Sequence, residues 1–220
     1  MTLDKLWPLI WQGVIDTLYM TIPSAFFAYL LGLPLGVLLV ITQKGHIKSS
    51  PTFNAVLGSI VNFLRSIPFI ILLVMLFPVT RVVMGSAIGT KSIIFPLVVS
   101  AFPFVARMVE SSLNEVDHGL IEAAQSMGST TMEIIRKVLL PESLPSLVNG
   151  AAICVTTILA YTAMAGAAGG DGLGKIAITY GLNRREYSVM YAASIALVAL
   201  VQIIQVIGNR LTVALDHKRK

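Results

Sequence analysis

Charged side chains are scarce in this sequence. Asp, Glu, Lys and Arg make up 12% of the 220 residues, whereas 55% are hydrophobic. The charged share is about half that of an ordinary soluble domain, which disfavours a water-soluble fold. Long apolar runs instead predict helices that cross a bilayer, each of about 20 residues. The net charge of +5 is scattered between these runs and gathers only in the final "HKRK". This pattern is typical of membrane orientation and does not indicate nucleic acid as a partner.

Cysteine and clustered metal ligands are equally scarce. The single cysteine, Cys154, lies in an apolar run, so neither a disulfide framework nor a cysteine metal cluster can form. The three histidines, His46, His118 and His217, lie in separate polar segments without an i,i+4 pair, and we expect each to be a solvated loop residue. We therefore expect no catalytic residue, no metal and no cofactor.

The sequence also lacks a nucleotide-binding loop of its own. "GGDGLGK", residues 169–175, satisfies the first seven places of the phosphate-cradling loop. However, Ile176 stands where a Ser or Thr must hold Mg²⁺. We expect this segment to be a tight turn outside the cytoplasm. If the protein moves a solute with ATP, the ATPase must be another chain.

Five apolar stretches predict an all-α integral membrane protein with five spans in one domain, 1–220. Their expected bounds are residues 17–41, 56–79, 90–112, 146–168 and 188–211. Arg65 divides the second stretch, and a charge at the bilayer centre costs at least about 2.5 kcal/mol, so we place it near an interface or against protein. More Lys and Arg fall on the inside when the C-terminus is cytoplasmic, which predicts an external N-terminus.

One polar, helix-forming segment interrupts the apolar runs between the third and fourth spans. We name residues 113–145 the polar insert. Leu120, Ala123, Ala124 and Met127 recur at helical spacing and predict one apolar face of a short helix. Gly128 follows where a left-handed C-terminal cap is needed, so the helix should end there.

A second short helix is predicted to begin at once. Thr130 and Glu133 stand in capping-box order, and the helix should run to about Leu140, where Pro141 stops it. The polar insert is then a compact helix, turn, helix on the cytoplasmic side. Helices this short are marginal in water unless one face packs on something. From the pattern alone, two interpretations of the polar insert are possible: a solvated loop with surface helices, or an element that docks on a partner.

The spacing within the polar insert resembles the EAA signature of the membrane subunits of bacterial ABC importers. Val138 replaces the isoleucine usual in that family, a mild departure. The resemblance implies the type I ABC importer permease fold, with this segment as a coupling helix that docks on a cytoplasmic ATPase. The residues that carry the match, and that we expect at the ATPase, are Glu122, Ala123, Ala124, Gly128, Leu140 and Pro141.

Other runs are similar to the methionine branch of these permeases, from Leu18 onward. They include "FLRSIPFIILLV", "PFVARMVESSL" and "GGDGLGKI". The resemblance implies a methionine importer in the bacterial inner membrane. Its expected partners are a second copy forming a homodimer, two cytoplasmic ATP-binding subunits, an extracytoplasmic methionine-binding protein and membrane lipid.

The translocation path is expected along the fourth span. Resemblance to the inner helices of the family places Tyr161 and Met164 near an outer gate, although ordinary span-to-span packing also fits the small residues there. Gln202 and Gln205, in the fifth span, are polar at membrane depth, and we expect them either to pack or to meet protein partners.

Two other functions stay open on the sequence. The chain could serve an importer for another amino acid, or it could be a secondary carrier. A secondary carrier would need coupling-ion groups in its spans, and the sequence offers almost none beyond the ambiguous Arg65.

Overall fold

The protein is helical throughout the part of the chain that the structure describes. The computed structural model describes the backbone of residues 3–216 and the side chains of residues 6–216. His217 and the three basic residues after it, which contribute to the charge argument for orientation, lie outside that range. The helices are α1 (Leu3–Ile41), α2 (Pro51–Ser66), α3 (Phe69–Met75), α4 (Phe77–Met84), α5 (Thr90–Leu113), α6 (His118–Ser126), α7 (Thr131–Ile134), α8 (Leu140–Glu142), α9 (Leu144–Ala165), α10 (Leu173–Ile176) and α11 (Tyr187–Leu215).

Within residues 3–216, four helical stretches are long and apolar enough to cross a membrane. They are Leu6–Ile41, Thr90–Leu113, Leu144–Ala168 and Tyr187–Leu215. Many large side chains on these helices stay exposed in the isolated chain, among them Phe26 at 63% and Ile195 at 69%. Apolar surface on this scale requires lipid or protein around it. The prediction of an all-helical membrane protein is confirmed.

The second predicted span is not one continuous helix. The sequence predicts residues 56–79, but the structure ends α2 at Ser66 and begins α3 at Phe69. The cause is Pro68, which lacks a backbone N–H and disfavours helical geometry at Ile67. Pro68 itself has the extended backbone angles φ −57° and ψ 134°. The two helices form a fifth candidate span only if they are counted together as a bent pair.

The chain divides into two compact units. The first contains residues up to Phe27 together with Ile67–Ala101 and Cys154–Val206. Its buried cluster joins the start of α1 to α10 and the start of α11, through Ile10, Leu173 and Val189. Gly13 permits this packing, because a Cβ there would collide with the Ile176 side chain.

The second unit contains Ala28–Ser66, Phe102–Ile153 and the residues from Ile207 onward. Gly32 and Gly36 bring α1 against α5: a Cβ on Gly32 would lie 2.7 Å from the Phe102 carbonyl oxygen, and one on Gly36 would lie 2.6 Å from that of Ala106. Such small residues let helix backbones approach closely. Arg107, on α5, donates to the Gly58 carbonyl oxygen on α2 at 2.7 Å. These contacts join α1, α2 and α5 within this unit.

Candidate functional site

The first helix of the polar insert, α6, is capped at both ends by local chemistry. The Asp117 carboxylate accepts a 2.7 Å hydrogen bond from the Gly119 N–H, which satisfies one of the free donors at the helix start. At the other end Gly128 has φ +79°, and its N–H donates to the Gln125 carbonyl oxygen at 2.9 Å. No atom lies within 4 Å of the position where a Cβ on Gly128 would stand. Glycine is therefore needed there for its backbone angle and not for space.

The second helix begins with the predicted capping box. The Glu133 N–H donates to the Thr130 hydroxyl, and the Glu133 carboxylate accepts from the Thr130 N–H at 3.0 Å and from its hydroxyl at 2.8 Å. Lys137 donates to the same carboxylate at 3.2 Å. The hydrogen bonds from the Thr130 backbone and side chain, followed by that from Lys137, lower the pKa of Glu133 to about 2.

The predicted stop at Pro141 is wrong. The chain stays helical through Glu142, because residues Ile135–Leu139 widen into a π turn before Leu140–Glu142. A proline in a regular helix clashes with the carbonyl of the residue four before it, here Lys137. The wider π turn moves the Lys137 carbonyl away from the proline ring, so the helix continues although Pro141 has no N–H to donate. The motif's Leu140 and Pro141 thus lie within a continuous helical path.

The predicted apolar face of α6 is largely outward. Among its four predicted members only Ala124 is buried, at 4% exposure, and the inner face is completed by Ile121, which was not among those four. Leu120 is 44% exposed and Met127 is 79% exposed, and Ala123 lies exposed between them. The prediction missed Ile121 because a helix with apolar residues on adjacent stripes does not show which stripe is buried.

The outward face carries both methionine and charge. Met132, at the start of α7, is 55% exposed. The side chain of Glu122 is 71% exposed, and its Oε1 lies 3.6 Å from Nδ1 of His118. Flexible methionines are common on surfaces that bind partners, because they adapt to the contact. The structure therefore leaves Glu122, Ala123 and Gly128 accessible, together with the unpredicted pair Met127 and Met132.

Two histidines expected to be separate lie together beside this surface. The rings of His46 and His118 meet edge to face with centroids 5.1 Å apart. Burial and then the neighbouring His118 lower the pKa of His46. No sequence spacing connects the loop after α1 with the start of α6, so only the fold could show the pair.

The predicted pathway residues lie on one stretch of α9. Tyr161 stacks on Phe69 of α3 with ring centroids 4.6 Å apart and planes within 4°. Met164 is 50% exposed and lines a groove of about 820 Å³ between α9 and α11. Tyr161 does not line that groove, so the two predicted gate residues have different surroundings. The sequence could not predict the stacking of Tyr161 on Phe69. Phe69 begins α3, which the sequence predicts as one span with α2, 56–79.

The glycine-rich segment after α9 is packed against backbone. A Cβ on Gly174 would overlap the backbone of Ala163, and one on Gly166 would overlap that of Gly174 and Lys175. Gly169 and Gly172 have φ of +98° and +87°. Glycine is therefore needed here for both space and backbone angle.

Asp171, in the same segment, binds the start of α5. Its Oδ2 accepts from the Thr90 N–H at 3.0 Å and from the Thr90 hydroxyl at 2.7 Å, while its Oδ1 accepts from Lys175 at 2.6 Å. Burial raises the pKa of Asp171, but the hydrogen bonds from Lys175 and Thr90 outweigh it and leave the pKa lowered. A short "GGDGLGK" motif gave no signal for this contact, since Thr90 is 81 residues away.

Comparison with protein families matches residues 32–220 to the family described as the inner membrane component of binding-protein-dependent transport systems. A probable D-methionine transport system permease protein MetI from Vibrio cholerae serotype O1 is 47% identical over 215 residues, which cover 98% of this chain and 94% of that protein. The D-methionine transport system permease protein MetI from Escherichia coli K12 is 52% identical over 162 residues, which cover 72% of this chain and 75% of that protein.

Solved structures of ABC transporter chains have a similar fold. A chain from inward-facing conformations of the MetNI methionine ABC transporter superposes with a TM-score of 0.96 at 48% identity, covering 99% of this chain and 100% of that one. A chain from an amino acid ABC transporter solved with histidines superposes with a TM-score of 0.72 at 21% identity, which supports the fold alone.

Helices of this length, with exposed apolar surfaces, define a multi-pass membrane protein. The chain belongs to the family of inner membrane components of binding-protein-dependent transport systems. It is accordingly a permease subunit of the inner membrane and not an enzyme. The resemblance to ABC importer permeases is confirmed.

Proposed function

We propose that this chain is the membrane permease subunit of an ATP-driven methionine importer. The observation that carries the proposal is the superposition of 99% of the chain on a chain of the MetNI methionine ABC transporter, at 48% identity. Two copies form the translocation path as a homodimer. Two cytoplasmic ATP-binding subunits drive it, and an extracytoplasmic methionine-binding protein delivers the substrate.

The ATPase docks on the outward face of the polar insert. This face presents Glu122, Ala123 and Gly128 beside the exposed Met127 and Met132. Leu140 is half-buried and Pro141 is exposed at the end of the π turn. Both short helices have a buried side as well, through Ile121, Ala124 and Ile134. A rigid base with an adaptable outer surface suits an element that transmits movement from one subunit to another.

Docking of a cytoplasmic ATPase on the polar insert determines the orientation of the chain in the membrane. The polar insert faces the cytoplasm, so the C-terminus is cytoplasmic and the N-terminus is external. The glycine-rich segment after α9 then lies on the external side, near the binding protein. Tyr161 and Met164 stand in the half of α9 that leads to this segment, as expected for an outer gate.

Reconstitution tests the function directly. The permease is co-expressed with its candidate ATPase, purified, and placed in proteoliposomes with a methionine-binding protein. We expect stoichiometric co-purification of the ATPase and uptake of radiolabelled methionine that requires ATP. Competition by unlabelled amino acids measures the specificity.

Each alternative predicts a different result. Uptake that needs ATP but is competed by a different amino acid assigns the chain to another amino-acid importer. Uptake driven by an ion gradient in the absence of any ATPase makes it a secondary carrier. A cysteine introduced at Met127 that reacts with impermeant reagent from outside the cell overturns the cytoplasmic orientation.

A further inference from the structure

A recess with charged walls lies between α1 and the segment that leads into α5, and we name it the polar recess. Its volume is about 520 Å³. Its walls come from Ile15, Asp16 and Tyr19 on α1 and from residues between Met84 and Ser92, Lys91 among them. Asp16 and Lys91 both lie towards the N-terminal ends of helical stretches that are long enough to cross a membrane.

The two charges that line the polar recess do not neutralise each other. No ion pair joins Asp16 to Lys91 within residues 6–216. Asp16 Oδ1 accepts a hydrogen bond from the Gln12 side-chain amide at 3.0 Å, which leaves Oδ2 without a donor from the described residues. Lys91 is exposed. A recess with one available anion and one available cation suits a ligand that carries both charges.

A second recess, the apolar recess, continues from the first along α1. Its volume is about 370 Å³, and its lining residues are Ile15, Leu18, Tyr19, Ile22 and Pro23. Ile15 and Tyr19 line both recesses, so the two are neighbours on the surface of the helix. Ile22 is 62% exposed and follows Asp16 by six residues, or about 9 Å of helix. That length exceeds the roughly 6 Å of headgroup region on one side of the hydrocarbon core.

Tyr19 lies where the two recesses meet. It is 46% exposed, and tyrosine is enriched at the interface between membrane and water. A phenol hydroxyl can donate to an ester carbonyl while its ring contacts hydrocarbon. Along this face, α1 therefore presents a charged, then an amphipathic, then an apolar surface. A phospholipid has the same order of charged head, ester and acyl chain.

The two charges select the kind of phospholipid. A phosphate is attracted to the Lys91 ammonium, and a primary ammonium can donate to the Asp16 carboxylate. Phosphatidylethanolamine carries both groups. The trimethylammonium of phosphatidylcholine has no N–H to donate, and phosphatidylglycerol has no positive charge. A free amino acid also offers both charges, but it would leave the apolar recess empty.

We propose that the two recesses together bind one phosphatidylethanolamine molecule, with its phosphate at Lys91, its ammonium at Asp16 and an acyl chain along Ile22. The site uses none of the residues that we propose for ATPase docking or for the gate, so it does not depend on which solute the transporter carries. A lipid bound there joins α1 to the segment that leads into α5.

Native mass spectrometry of the purified transporter, with its ATPase, counts the bound lipid. The complex is delipidated in detergent and titrated with dioleoyl phosphatidylethanolamine, phosphatidylcholine or phosphatidylglycerol. We expect one phosphatidylethanolamine per permease copy, bound about tenfold more tightly than either other lipid, because one charge-assisted hydrogen bond contributes on the order of that factor. Neither glycerophosphoethanolamine, which has the head without acyl chains, nor free methionine should displace it at the same concentration.

Two substitutions have different expected effects on this selectivity. Asp16→Asn removes the charge that receives the ammonium, so it should lower the affinity for phosphatidylethanolamine about tenfold and leave that for phosphatidylcholine unchanged. Lys91→Gln should weaken the binding of all three lipids, because they share the phosphate. Arg81→Gln is the matched control and should change none of them, since Arg81 is exposed on α4 and lines neither recess.

A photoreactive phosphatidylethanolamine with a diazirine in its acyl chain tests the site without any substitution. Peptide mapping should place its adducts mainly on residues 15–23. Adducts spread evenly over the exposed helices, without a preference for phosphatidylethanolamine, would mean ordinary bulk lipid and overturn the proposal.

Three other outcomes also overturn the proposal. Equal losses of lipid binding in Lys91→Gln and Arg81→Gln show an unspecific effect of charge. Displacement of the lipid by free methionine assigns the polar recess to an amino acid. A disulfide between two copies of Ile22→Cys, with no adduct on residues 15–23 of the unsubstituted protein, shows that a second copy covers the site.

Discussion

Two polar segments of this protein use the same chemistry over very different distances along the chain. In the polar insert, the Glu133 carboxylate accepts the N–H and hydroxyl of Thr130 and the ammonium of Lys137, and we call these three residues the local clasp. After α9, the Asp171 carboxylate accepts the corresponding groups of Thr90 and Lys175. These three residues form the long-range clasp.

The difference between the two clasps lies in what they connect. The local clasp joins residues three and four apart, so it stabilises the start of α7 without help from the rest of the fold. The long-range clasp joins residues 81 apart and caps the start of α5 from another part of the chain. The first organises the start of α7 in the polar insert, where we propose that the ATPase docks, and the second holds the glycine-rich segment against the start of α5.

The glycines of the two segments differ in the same way. Gly128 has open space around it and is required only for its backbone angle, whereas Gly174 is pressed against the backbone of Ala163. Substitutions should therefore be tolerated differently. Changes near the polar insert should alter coupling, and changes near the long-range clasp should alter stability.

The largest effect is expected from Gly174→Ala. The added Cβ would overlap the Ala163 backbone, which must move. We expect a loss of about 3 kcal/mol of stability, at the upper end for overpacking, and a correspondingly lower thermal midpoint of the purified transporter. Gly45→Ala is the control, because Gly45 has φ +84° and open space; it should cost only about 1 kcal/mol. Equal midpoints for the two variants would contradict the close packing.

The next effect is expected from Gly128→Pro. Proline fixes φ near −65°, whereas Gly128 has +79°, and it also removes the N–H that donates to Gln125. We expect co-purification of the ATPase to fall about tenfold or more, which corresponds to at least about 1.4 kcal/mol. Membrane insertion should be unchanged.

Gly85→Pro provides the matched control for this variant. Gly85 is an exposed glycine with φ +79° and open space at the end of α4, and it lies outside the polar insert. It should retain the ATPase. Full ATPase recovery and ATP-driven uptake by Gly128→Pro would show that the turn does not carry docking.

A smaller effect is expected when the carboxylate of each clasp is replaced by an amide. Asp171→Asn keeps the shape of the side chain but removes the charge that Lys175 and Thr90 contact. Charge-assisted hydrogen bonds of this kind contribute on the order of 2 kcal/mol, so the thermal midpoint should fall. Glu133→Gln, the same change in the local clasp, should leave the midpoint unchanged and weaken ATPase binding slightly. The reverse pattern in calorimetry and pull-down would invalidate the comparison.

The local clasp shows what the sequence could predict. Thr130 and Glu133 signal a capping box because their spacing alone brings the two side chains together. Gly128 likewise signals a left-handed cap, since the conformation belongs to the residue type. Interactions between residues within one helical turn can therefore be predicted from residue type and spacing in the sequence.

The long-range contacts show what the sequence could not predict. Nothing in the spacing of Thr90 and Asp171, or of Tyr161 and Phe69, indicates that they meet. The break at Pro68 was missed because hydropathy alone joined α2 to α3, and the run through Pro141 was missed because a π turn depends on the packing around it. The buried face of α6 required the fold as well, since Ile121 and Leu120 are equally apolar.

The smallest expected effect is the response of the local clasp to acid. The folded pKa of Glu133 is about 2, below its ordinary value of 4.5. A group with a lowered folded pKa contributes stability that is present above the ordinary pKa and lost as the pH falls through the folded pKa. Hydrogen exchange at Glu133 and Ile134 should therefore be unaffected between pH 7 and 5 and should lose protection from pH 4.5 towards 2. Glu133→Gln, followed at the same pH values, corrects for the intrinsic exchange rate and should lack this step; an identical step in both proteins would mean that another group controls the start of α7.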